Sequence, residues 1–202
     1  MQDQMVFTIG HSTHEIDYFI ELLNRHQCNS IIDVRSRPYS RIAPQFNKEK
    51  LSSVLKSNSI MYTHFEKEFG ARHTNPPLLD KDRKVDFDKV RASAEFKQGI
   101  HRLKKGLDLG YTIALMCSEA NPFDCHRFSL ISYQLIKEGG QVCHILKNGD
   151  LKENEKLEEE LINKYNKKLP QTDLFETVTR VEQIERAYRL RGKDIAFSLA
   201  TQ

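Results

Sequence analysis

Cys117-Ser118-Glu119 and Cys125-His126-Arg127 place two thiols, a carboxylate, an imidazole and a guanidinium in one short stretch. Each of these groups has a chemical use. A thiolate attacks an electrophile or ligates a metal. Carboxylate and imidazole move protons, and a guanidinium holds an anion. Asp124 is a candidate N-cap, which would set Cys125 in the first turn of the following helix. There the helix dipole and a nearby Arg or His favour the thiolate. The bland alternative is that Cys125 is a small apolar filler. Cys117 ends an apolar run and suits packing as well as chemistry. Glu119 is either a general acid or base, a group that orients His126 or Arg127, or one half of an ion pair with Arg127.

Two further clusters follow apolar runs: Gly10-His11-Ser12-Thr13, and Asp33-Val34-Arg35. Strand ends that only need to turn mostly use Gly, Asn, Asp and Ser, so three chemistry-bearing clusters in phase point to a shared site. His11 joins Glu119 as a proton-transfer candidate, with His126 beside it. Arg35, Arg37 and Arg41 lie in one loop, with Tyr39 and Phe46 interleaved and Lys48 and Lys50 close behind. Arginine forks suit phosphate, and the aromatics suit a stacked base; a solvated basic surface is the equal alternative. Arg72 beside Gly70 adds another cation. Ser12, Asp33, Arg35, Arg37, Arg41, Arg72 and Arg127 therefore form the candidate anion and substrate set, and Glu119, Cys125, Cys117, His11 and His126 the catalytic set.

A metal site is the lesser reading. Cys117, Cys125, His126 and His11 offer thiolate and imidazole, but the cysteines are widely spaced and no second Cys-x-x-Cys exists. Cys28 and Cys143 sit in apolar surroundings and read as core. The chain lacks a Gly-x-Gly-x-x-Gly, a Walker-type loop and a Gly-x-Ser-x-Gly elbow. Neither Cys117 nor Cys125 has an arginine placed for the phosphate-cradling loop of cysteine phosphatases.

These clusters need elements to hold them. Val6–Ile9, Ser30–Val34, Ile60–His64, Tyr111–Met116 and Gln141–Leu146 read as strands, mostly as continuous apolar runs. Helical patterns separate them: one opened by a Ser12/Glu15 capping box, one capped by Asn47, a long one over Phe87–Leu107, and one over Phe128–Glu138. Glu66–Asp86 reads as an irregular loop or lid. Alternation of this kind predicts an α/β fold in three layers, a mostly parallel sheet of about five strands with helices on both faces. The C-terminal ends of parallel strands share one edge, where ligands bind. After Asn148-Gly149 the pattern becomes helical, Glu153–Lys168 and then Val178–Leu190. The expected organisation is an α/β core over 1–150 and a helical C-terminal extension over 151–202, packed on the same domain.

Composition sets the outer bounds. The 202 residues are 39% hydrophobic and 29% charged, with a formal net charge of +3, which is ordinary for a globular chain and demands neither a membrane nor a nucleic acid. No apolar run is long enough to span a bilayer, and Met1-Gln2-Asp3-Gln4-Met5 does not open a secretory signal. Four dispersed cysteines suit a reducing cytoplasm. No cofactor and no oligomeric state follow from these residues.

Thr8-Ile9-Gly10-His11-Ser12, Ile32-Asp33-Val34-Arg35-Ser36-x-Pro38, Met116-Cys117-Ser118-Glu119 and Cys125-His126-Arg127 together resemble an uncharacterised family, domain of unknown function 488. The likeness runs from about Phe7 to Ile145, with Leu174-Phe175 and Ala187-Tyr188 similar to the family's tail. It implies motif positions rather than a reaction. Phe69-Gly70-Ala71-Arg72 is similar to the family's Leu-Gly-Gly-x-Arg, with Ala71 in place of the second glycine. A weaker likeness, to rhodanese domains, rests on Ile32-Asp33-Val34-Arg35 alone and lacks their cysteine loop. The expected function is an enzyme acting on a phosphate-bearing substrate, a nucleotide or nucleic acid, at the sheet edge. The rivals are a nucleic-acid-binding module without chemistry, and a Cys/His metal or thiol-redox site.

Overall fold

The computed structural model describes residues 5–172 and 177–199. Met1–Gln4 and Leu174-Phe175, both used above, lie outside the described residues. Six strands form one sheet: β1 (Met5–Gly10), β2 (Ser30–Asp33), β3 (Met61–His64), β4 (Ile113–Cys117), β5 (Gln141–Ile145) and β6 (Leu151–Glu153). Their order is β3-β2-β4-β1-β5-β6. The first five are parallel and β6 runs antiparallel to β5. Five strands follow the apolar runs of the sequence. The sixth has three residues, too few for a period-2 signal, and is returned by a turn at Gly149, whose φ is +87°.

The α/β expectation is met. β2 and β4 are buried along their whole length, as strands covered on both faces must be. On one face α1 (Ile16–Arg25) and α2 (Lys48–Ser57) lay Phe19, Leu22, Leu23, Leu51 and Leu55 against Ile9, Ile31, Ala114 and Met116. The one-turn α3 (Glu66–Phe69) follows β3. On the other face α4 (Phe87–Ala92), α5 (Ala94–Asp108) and α6 (Tyr133–Lys137) accompany Phe96, Leu103, Leu130 and Leu135 against Ile32, Leu115 and Cys117. The chain moves outward from β1 to β3 and then returns across the sheet. Right-handed crossovers therefore change face at that reversal. Two further helices, α7 (Asn154–Tyr165) and α8 (Arg180–Ile195), bury Leu157, Leu161, Ala187 and Tyr188 with Phe123, Phe128 and Tyr133.

Several local expectations are corrected. The Ser12/Glu15 capping box does not form: α1 begins at Ile16 with no side-chain cap, and Ser12 sits at φ +49° in the turn after β1. The pattern over Phe87–Leu107 is two helices, because Ser93 ends α4 and its hydroxyl accepts from Phe96 N to start α5. Asn47 does stand at the start of α2, but its Oδ1 accepts from Ser40 N at 2.7 Å and so ties down the basic loop. Asp124 is not a helix cap. It closes a 3₁₀ turn over Pro122–Asp124, and Cys125 follows in an extended conformation (φ −121°, ψ 145°).

Candidate functional site

The β1–β4 ladder continues past the strands. His11 N donates to Cys117 O and Ser12 N to Ser118 O, both at 2.9 Å, and Val34 N donates to Met116 O at 3.0 Å. The three clusters are thereby laced to one another at one edge. Gly10 makes this possible, since a Cβ there would stand 1.8 Å from the Glu119 carbonyl oxygen.

The lacing gathers four reactive groups. Cys117 Sγ lies 2.8 Å and Cys125 Sγ 3.2 Å from the same oxygen, Glu119 Oε2. His126 Nδ1 faces both sulfurs, at 3.8 Å from Cys117 and 3.7 Å from Cys125. His126 Nε2 donates to Val34 O at 3.1 Å, which fixes the ring. Cys125 takes the capping position: its carbonyl accepts from Phe128 N at 3.1 Å and its sulfur from Arg127 N at 3.5 Å. Both cysteines are buried and free. Burial pushes the Cys125 thiol up, but the Cys117 thiol, Arg127 and His126 outweigh it and hold Cys125 well below the ordinary range. Hydrogen bonding with Cys125, then burial, pushes Cys117 well up. Burial and the Cys125 charge raise Glu119. Burial pulls His126 down, but Cys125 wins and raises it. The two thiols are thereby set apart, the charged form being favoured at Cys125 and opposed at Cys117.

Asp33, Arg35 and His11 form the support beside this cluster. The Arg35 fork donates from Nε to Asp33 Oδ1 at 2.9 Å and from Nη2 to Oδ2 at 2.6 Å, and the Tyr62 hydroxyl donates to Oδ2 at 2.7 Å. Arg35 Nη1 donates to His11 Nε2 at 3.0 Å, while His11 Nδ1 donates to Ser12 O at 2.8 Å. Both ring nitrogens of His11 are therefore engaged, and the ring stacks on Phe46 at 4.4 Å. Burial, then Arg35, lowers His11 to about 4, so it is neutral at pH 7.

Arg127 is wholly buried and donates to carbonyls, Nη1 to Glu119 O at 2.6 Å and Nη2 to Ala120 O at 3.1 Å. It pins the loop that carries Glu119. Its Nε donates to Thr8 Oγ1 at 3.3 Å. From there a chain of donors runs from the Thr8 hydroxyl to His144 Nδ1 and from His144 Nε2 to Asn154 Oδ1. Arg127 also opens a π-helical segment, Arg127–Ser132, in which Ser132 Oγ donates to Arg127 O at 2.7 Å. Such segments often accompany functional sites. Sequence reasoning missed this support. The available signal was a polar residue, Thr8 and His144, inside each of two apolar strands, and the two are paired in register.

The cluster faces a cavity of about 550 Å³, lined among others by Arg35, Cys117, Glu119, Cys125 and His126 below and by Arg37 and Arg72 at the rim. Arg37 and Arg72 are exposed. Arg72 is held by a bond from its N–H to Ser36 Oγ at 2.9 Å and by its guanidinium over the Phe197 ring. Arg41 is exposed on the same loop but does not line the cavity, and neither do His11, Ser12, Asp33 or Arg127. Phe197 and Ile195 also line it. They arrive from the far end of the chain, where Val85 N donates to Phe197 O, and no local pattern marks them.

Residues 15–135 match the family model described as "Domain of unknown function DUF488", more than half of the chain. The chain belongs to the DUF488 family. In this DUF488 protein the matched span carries Asp33, Arg35, Arg72, Cys117, Glu119 and Cys125-His126-Arg127, while Gly10-His11-Ser12 precedes it. No curated protein and no solved structure matches the chain. Ala71, where the family's second glycine is expected, lines the cavity without a left-handed backbone.

Proposed function

We propose that this DUF488 protein is an enzyme acting on a phosphate-bearing substrate, a nucleotide or nucleic acid, bound in the cavity at the C-terminal edge of the sheet. One observation carries the reading: two exposed guanidinium groups, Arg37 and Arg72, share a cavity with two buried thiols, a buried imidazole and the exposed carboxylate of Glu119, which touches both sulfurs. The rim arginines hold the phosphate, and forks suit its oxygens. Glu119 touches both sulfurs and carries the proton. Cys117 and Cys125 supply the sulfur chemistry, and His126 sets their charge. Asp33, Arg35, His11 and Arg127 position these groups from beneath, and Arg41 meets the further phosphates of a longer substrate. Four free thiols suit a reducing cytoplasm.

The test is turnover across a panel of nucleotides, phosphoesters and short oligonucleotides. Glu119→Gln and Cys125→Ser are expected to lower kcat by about 10²-fold or more. Arg72→Ala is expected to raise KM, with a weaker salt dependence. Full turnover in both floor variants counts against the reading.

A second reading has its own support. Tyr39 is 58% and Ile42 84% exposed beside Arg41, as in a loop that stacks a single-stranded nucleic acid. Salt-sensitive oligonucleotide binding that survives Cys125→Ser, without turnover, favours it.

A further inference from the structure

The cavity floor contains more donor atoms than hydrogen bonding among its own side chains requires. Cys117 Sγ, Cys125 Sγ and a ring nitrogen of His126 lie within 4.8 Å of one another, all three residues buried. His126 Nδ1 stands 3.8 and 3.7 Å from the two sulfurs. Tetrahedral zinc, with bonds of about 2.3 Å to sulfur and about 2.0 Å to nitrogen, sets these two ligand types about 3.6 Å apart. The two nitrogen–sulfur edges of the cluster therefore match that polyhedron to within about 0.2 Å, and the two sulfurs lie within 4.8 Å of each other. The other ring nitrogen, Nε2, already donates to Val34 O at 3.1 Å. A ligating histidine needs such a partner, because it fixes the tautomer that turns the Nδ1 lone pair toward the metal. Two thiolates and an imidazole are a soft donor set that selects zinc over magnesium or calcium.

We propose that Cys117, Cys125 and His126 hold one zinc ion, with the fourth position open to the cavity that all three line. Three protein ligands and one free position are the arrangement of catalytic rather than structural zinc. Seven residues lie between the cysteines along the chain. The 3₁₀ turn over Pro122–Asp124 folds that distance away by bringing the start of the helical segment back to the end of β4. The inference rests on the cavity being the reactive centre. It makes the two sulfurs ligands rather than nucleophiles and leaves Glu119, beside both, as the proton carrier.

The test uses the full chain, purified reduced and without chelator, and exposed to zinc or to cobalt(II) before dialysis. Elemental analysis is expected to give about one zinc per chain, and Cys117→Ser and Cys125→Ser to lower it about tenfold or more. Cys143→Ser, a buried cysteine outside the cluster, retains the metal. The cobalt form of the wild type is expected to show thiolate-to-cobalt charge-transfer absorption, a readout that does not depend on the variants folding. Wild type with less than about a tenth of an equivalent, or cobalt without thiolate absorption, overturns the zinc site. Turnover lost in Cys125→Ser by a metal-free wild type overturns it too, and leaves the phosphate-enzyme reading standing with Cys125 as nucleophile. Zinc bound at full stoichiometry with no turnover on the panel supports the site and overturns that reading instead.

Discussion

Three arginines of one loop, identical in chemistry, have three fates. Arg35 is buried and bound by Asp33 on both fork positions, Arg37 stands exposed at the cavity rim, and Arg41 is exposed outside it. Their spacing in sequence carries no such distinction, because burial is set by what lies opposite. For Arg35 the opposite groups are Asp33 at the end of β2, His11 after β1 and the Phe46 carbonyl at the far end of the loop, while Tyr62 of β3 closes on Asp33. The pair is almost fully removed from water. Breaking such a pair leaves a buried charge without its partner, which costs about 3–5 kcal/mol. Asp33→Asn is expected to lose stability on that scale, measured by denaturant unfolding. Gly10 acts by absence instead. In Gly10→Ala the new methyl would overlap the Glu119 carbonyl, and backbone, not a flexible side chain, must yield.

At the scale of elements, apolar spacing found the helices and missed their breaks. Val90, Phe96, Ile100 and Leu103 are all buried and read as inward positions of one helix, although the six residues from Val90 to Phe96 turn it about 120° off the face that Phe96, Ile100 and Leu103 share. The break is a polar event: the Ser93 hydroxyl donates to Val90 O and accepts from Phe96 N. Ser93→Ala removes the cap of α5 and is expected to cost about 1 kcal/mol, read as a lower denaturant midpoint with an unchanged slope. Gly99 inside α5 looks like a weak point, since glycine destabilises a helix interior. Packing explains it, because a Cβ there would lie 2.8 Å from the Phe69 ring. Cys125 shows the same lesson at the site. Sequence placed it inside a helix, whereas it caps one, with its sulfur turned to the Arg127 N–H.

Over the whole molecule, two buried neutral histidines couple folding to pH. His11 is lowered to about 4, by burial and then Arg35, and His144 to about 3, by burial and then Arg127. In the unfolded chain both take a proton near 6.5. Depressed folded values mean that their contribution is full above about pH 6.5 and is lost as pH falls toward 4 and 3, because the unfolded state then binds more protons. Each contributes a slope of about 1.4 kcal/mol per pH unit in that window. Denaturant stability is expected to fall between about pH 6 and about pH 4, and His144→Gln to remove about one such slope. An unchanged slope in His144→Gln would show that the ring is protonated in the folded state. The third apolar cluster links this interior to the C-terminal helices, since Asn154 of α7 accepts from His144 and Tyr188 of α8 lies against Phe128. No helix among the described residues is long and apolar enough to cross a membrane.

Sequence alone determined the α/β class, the five parallel strands and the motifs at their ends, because apolar runs and periodicities are local consequences of burial. It also placed Cys117, Glu119, Cys125 and His126 together as candidates, since β4 and the following turn carry all four. Only the tertiary structure decided which charged groups face the cavity and which are locked beneath it. Only it set both sulfurs against one imidazole nitrogen and one carboxylate oxygen. Those distances depend on ladder bonds and carbonyl contacts between segments far apart in the chain, and no pattern within a single segment records them.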